Sequence, residues 1–130
     1  MAAGSDAPHL PHLPHLATID AYGKGGFRFA GMSHRGSLLC LPHGIWAWPV
    51  AMPDGIDEAA LTSVFDAASE IALFILGTGR DPWVMPEPLR WRFREAKLTV
   101  EVMTTGPAVR TFNILLGERR RVAAGLIAVE

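Results

Sequence analysis

Hydrophobic and polar positions follow a two-residue rhythm in the first half of the chain and a three-to-four-residue rhythm in much of the second. Residues 19–22 and 27–29 read as short strands joined through Gly23-Lys24-Gly25-Gly26. Residues 37–41 and 45–50 flank Pro42-His43-Gly44 and predict a hairpin, and in its second arm Trp46 and Trp48, two apart, share a face. From Asp57 the period changes. Leu61, Val64, Phe65 and Ala68 fall at i, i+3, i+4 and i+7, which predicts a helix capped by Asp57, with Asp57 and Glu58 at the positive end of its dipole. Residues 71–76 are apolar without interruption, as in a central strand covered on both faces.

The segment 86–96 carries two rhythms. Arg90, Arg92 and Arg94 alternate with Trp91 and Phe93 as in a strand, whereas Pro86-Glu87-Pro88 starts a helix on which Leu89, Phe93 and Ala96 share a side. The helix is favoured because residues 71–76 and 98–103, as parallel neighbours, need a crossover of this length. Thr105 and Pro107 open another helix carrying Val109, Phe112 and Leu116, closed by Gly117. Arg119, Arg120 and Arg121 lie just past its end, where positive charge is favoured. Residues 122–129 form a last apolar strand. The order, β-rich and then α-β-α-β-α-β, predicts an α/β fold: a three-layer sandwich with a central mixed sheet, helices packed on it and an N-terminal β-hairpin layer.

The 130 residues suit one domain, placed at 18–130, behind an arm at 1–17 expected to be flexible. In that arm Pro-His-Leu occurs three times in succession. A polyproline II helix would set His9, His12 and His15 about 9 Å apart along one edge. Three ligands to one zinc must each come within about 2 Å of it. A solvated arm is therefore expected, with no metal and no cofactor. Twelve basic and 13 acidic residues leave a charge of −1, which gives no field for nucleic acid, and the single Cys excludes an internal disulfide framework. From Arg80 onward the balance is locally positive, yet no stacking aromatic series accompanies the arginines. No basic start precedes an apolar run, and the longest uncharged stretch, 36–53, contains Pro42, Gly44 and Pro49. A cytoplasmic protein with no leader and no membrane insertion is expected.

Candidate chemistry lies after the central strands. Gly77-Thr78-Gly79-Arg80-Asp81 follows the buried strand where open α/β sheets bind ligands, but Pro82 stands where a dinucleotide fingerprint needs glycine. Thr104-Thr105-Gly106-Pro107 follows the next strand. If those strands are parallel neighbours, Gly77, Thr78, Gly79, Arg80, Thr104, Thr105, Gly106 and Arg110 gather around one helix N-terminus able to hold a small anion. The same residues also suffice for an ordinary turn and helix cap. Trp46 and Trp48 form an apolar platform for core or for contact. Catalytic residues are not assigned: His34 and His43 are the body's only histidines, no Gly-x-Ser-x-Gly turn is present, and Cys40 between leucines reads as a buried thiol.

Phe27-Arg28-Phe29, His34-Arg35-Gly36-Ser37-Leu38-Leu39, Trp46-Ala47-Trp48-Pro49, Gly77-Thr78-Gly79-Arg80 and the stretch from Thr105-Gly106-Pro107 to Asn113 together resemble a family of small uncharacterised bacterial and archaeal domains. That family includes the mitochondrial complex I assembly factor 3 and the adipogenesis-associated domain protein of animals. The resemblance implies a three-layer fold with a mixed central sheet and carries over no catalytic residue. The expected function is that of a non-enzymatic interaction protein with a protein partner, assisting assembly of a membrane-associated complex. The alternative is a small-anion or metabolite binder, conceivably an enzyme, at the loops named above.

Overall fold

The computed structural model describes residues 10–130. The early alternation resolves into five strands: β1 (Ile19–Gly23), β2 (Gly26–Phe29), β3 (Met32–Arg35), β4 (Ser37–Leu41) and β5 (Gly44–Trp48). The first three form an antiparallel sheet in that order. β3 was not legible from the sequence, because the turn before it is made by Ala30 and Gly31, both at positive φ, and an alanine is an unusual turn former there.

A five-stranded sheet occupies the middle. Its order is β5-β4-β8-β6-β7, with β6 at Leu73–Gly77, β7 at Thr99–Met103 and β8 at Val122–Leu126. β6 runs parallel to both β7 and β8, whereas β4 is antiparallel to β5 and β8, so the sheet is mixed. The parallel pairing of β6 with β7 requires a crossover, and α2 (Glu87–Glu95) supplies it. The helical reading of the arginine-rich segment is therefore correct. α3 (Thr105–Gly117) returns the chain from β7 to β8.

The long helix expected from Asp57 is not continuous. It is a 3₁₀ turn (Ala59–Leu61), a short α1 (Thr62–Asp66) and a second 3₁₀ turn (Ala68–Glu70), broken where Leu61 and Ala67 leave helical dihedrals. Asp57 still caps it, its Oδ1 accepting from the Ala60 N–H at 2.8 Å. The apolar spacing survives the breaks because α and 3₁₀ turns both return to the same side after three or four residues. Leu61, Val64, Phe65 and Ala68 all pack into one core with α2.

The central sheet thus has a layer on each face. One face packs on α1 and α2 through Trp48, Phe74, Leu76, Phe93 and Leu98; the other packs on α3 and the three-stranded sheet through Phe27, Phe29, Ile75 and Phe112. Asn113 joins the last two, its side-chain amide donating to the Ile19 carbonyl and accepting from the Ile19 N–H, each at 2.8 Å. Ser37 ties strand ends together, its hydroxyl donating to the Val50 carbonyl at 2.7 Å and accepting from the Ala128 N–H at 3.0 Å.

Candidate functional site

The loops after β6 and β7 meet, as the parallel pairing requires. What they do there differs from the anion reading. The Thr105 N–H donates to the Gly79 carbonyl, the Gly79 N–H donates to the Thr105 hydroxyl, and that hydroxyl donates to the Ile127 carbonyl at 2.7 Å. The Thr78 N–H is held by the Met103 carbonyl and its hydroxyl by the Asp81 carbonyl. Thr78 and Thr105 are buried, so these donors are used by the protein itself. Gly77 is a packing glycine, since a Cβ there would lie 3.0 Å from the Ala108 Cβ and 3.1 Å from the Thr105 Cα. Gly79 has φ +92, the left-handed turn the sequence predicts.

At the start of α3 the side chains of Arg80 and Arg110 are exposed and Thr104 is half-buried. Gly106 sits under Tyr22 of β1: a Cβ at Gly106 would meet the Tyr22 hydroxyl at 2.5 Å, with Arg110 Nη1 at 3.9 Å. Tyr22 was not a sequence candidate, because its neighbour is 84 positions along the chain and no local pattern marks the contact.

The two tryptophans share a face, but that face is the core. Trp48 is 4% exposed and its indole N–H donates to the Ala60 carbonyl at 3.0 Å. Its role as contact surface is therefore corrected: it joins β5 to the 3₁₀ turn above. Trp46 is half-buried against the same cluster, with the His43 ring edge-on at 5.1 Å.

Two basic surfaces lie elsewhere. A cleft of about 490 Å³ covers the outer side of the three-stranded sheet, where Lys24, Arg28 and Arg35 stand over Ala21 and Ser33. A second, of about 440 Å³, runs between α2 and β7 and is lined by Arg90, Arg94 and Lys97. Among the described residues the one ion pair is Arg92 with Glu58 at 2.9 Å, so none of these six cations is paired with a carboxylate. Sequence spacing could not group them, because each set is assembled from different elements.

Of the titratable groups, Cys40 is wholly buried, which pushes its thiol up to about 12 and leaves it without a nucleophilic role. The His34 imidazole is held below its ordinary range, first by burial and then by His12, against the Ser37 carbonyl that bonds it. The His12 and His34 rings stand 4.8 Å apart. His9, the third histidine of the arm, lies outside the described residues. No group of three metal-ligating side chains occurs among the described residues.

The family described as "Protein of unknown function (DUF498/DUF598)" matches residues 19–127. The chain belongs to this family. An uncharacterized protein from Rhodobacter capsulatus is 35% identical over 121 residues, 93% of this chain and 92% of its own length. The human NADH dehydrogenase [ubiquinone] 1 alpha subcomplex assembly factor 3 is 30% identical over 84% of this chain, which spans 59% of the human protein. Among solved structures, a Bartonella henselae protein described as an outer membrane protein superposes with a TM-score of 0.88 at 46% identity, covering 92% of this chain and all of that one. In this DUF498/DUF598 member no described helix is long and apolar enough to cross a membrane.

Proposed function

We propose that this domain is a non-catalytic protein-binding module that assists assembly of a membrane-associated complex from the cytoplasmic side. The observation that carries the reading is its relation to assembly factor 3 along 84% of its length. Two further features support it. The loops that would have served a ligand spend their donors on each other, and the unpaired cations lie on open surfaces rather than in an enclosed pocket. The test is deletion of the gene in its own host, followed by native-gel separation of membrane NADH dehydrogenase. Smaller subassemblies are expected to replace the full complex and to disappear when the intact gene is restored. Normal amounts of full complex in the deletion strain would overturn the proposal.

A small anion is the second reading, favoured by the convergence of Arg110 and the Tyr22 hydroxyl on Gly106. Inorganic phosphate should then raise the melting temperature, and Arg110→Ala should abolish the rise. No rise at millimolar phosphate removes this reading.

A further inference from the structure

The two outer strands of the central sheet are treated differently. At β5 the chain covers part of its own edge: Leu13 bridges Ile45 in antiparallel fashion, with the Ile45 N–H donating to the Leu13 carbonyl at 2.9 Å and the His12 N–H to the Ile45 carbonyl at 2.8 Å. At β7 nothing in the described chain plays that part. Which of its backbone groups are open follows from strand geometry. The Met103 carbonyl accepts from Thr78 of the β6 side, and successive residues of a strand point their N–H and C=O to alternate sides. Thr99, Glu101 and Met103 therefore face β6, whereas Val100 and Val102 turn their peptide groups outward. An uncovered row of this kind is a template for another extended chain.

The side chains beside that row select what comes. Val100 and Val102 pack on the face shared with α2, where the groove holds Arg90, Arg94 and Lys97 above Phe93. Arg94 is further steadied over the Trp91 ring at 5.2 Å, and Trp91 is 57% exposed. Glu101 is exposed on the opposite face, toward α3. A sixth strand would thus meet positive charge on one face and negative charge on the other.

We propose that β7 is the docking edge for an extended segment of the assembly partner, carrying acidic residues at alternate positions on its α2-facing side. This rests on the reading of the domain as a protein-binding module. It names where that partner engages and by what chemistry. Salt is expected to weaken the contact, because the cations concerned are exposed.

The probe is a synthetic peptide alternating Glu with Val and Thr, capped at both ends, titrated into the full chain and followed by amide hydrogen exchange and chemical shifts. The Val100 and Val102 amides should slow at least tenfold, while those of Glu101 and Met103, already bonded to β6, stay as they were. The exposed pair Arg94→Glu and Lys97→Glu should weaken binding at least tenfold, and so should Val102→Pro, which removes one outward N–H from an edge position. A matched peptide with Lys in place of Glu should not bind. Three results overturn the proposal: no protection at millimolar peptide, equal binding of the Lys peptide, or protection of β7 by a second copy of the chain without peptide. The deletion strain separates the two claims. If assembly fails there but the charge-reversed gene restores it fully, the edge proposal falls and the assembly reading stands. If deletion has no effect while the peptide binds as described, the reverse holds.

Discussion

Thr105 shows how one hydroxyl can hold three strands' ends in register. It accepts from Gly79 after β6 and donates to Ile127 after β8, in a site with no exposure. Thr105→Val keeps the shape and strands both partners, so a loss of about 2–3 kcal/mol in urea unfolding is expected, with Thr105→Ser retaining most of the stability. The sequence marks Thr105 as a helix start, but its second partner lies 22 residues away, and no spacing rule reaches that far. Cys40 was more legible. Its place between leucines on an apolar strand indicates burial, and burial raises the thiol to about 12. Iodoacetamide at pH 8 should leave Cys40 unlabelled in the native protein and label it as urea unfolds the chain.

At the scale of elements, the contact between the arm and β3, where His12 stands beside His34, has a pH dependence whose sign can be worked out. The His34 pKa is depressed in the folded state, so the unfolded chain binds the proton more readily. Stability is greatest above the ordinary imidazole value of about 6.5 and declines as the pH falls through it toward the depressed native value. The urea midpoint is expected to drop between pH 7.5 and 5, and His34→Gln should flatten that drop. The elements themselves were legible where a long period or an uninterrupted apolar run announced them, as in α3, β6 and β8, whereas α2, with two rhythms, was legible only through the crossover that parallel strands need. The broken helix at 59–70 was legible as a face and not as a shape, because Leu61 and Ala67 leave helical dihedrals without any Gly or Pro to signal it.

For the molecule as a whole, the decisive inference from sequence was the parallel pairing of β6 with β7, which places both downstream loops together. What that proximity serves was not legible, since one of the donors is satisfied by Ile127, just past β8. Trp48 illustrates the same gap between face and role. It fills the space over Gly125, where a Cβ would lie 2.9 Å from its ring, and so locks β5 onto the middle of the sheet. Trp48→Ala should cost about 3–5 kcal/mol by urea unfolding, against about 1 kcal/mol or less for half-buried Trp46→Ala. The fold class was readable because layers follow from the order of periods; the basic surfaces were not, because each gathers residues from separate elements.

The closure of β5 by His12 and Leu13 sets how many neighbours the sheet can acquire. Two copies bared at the same strand can pair about a two-fold axis and then stop, each covering the other's edge. Trimming the chain to begin at Thr18 would bare that strand, and sedimentation should then reveal a concentration-dependent dimer joined β5 to β5.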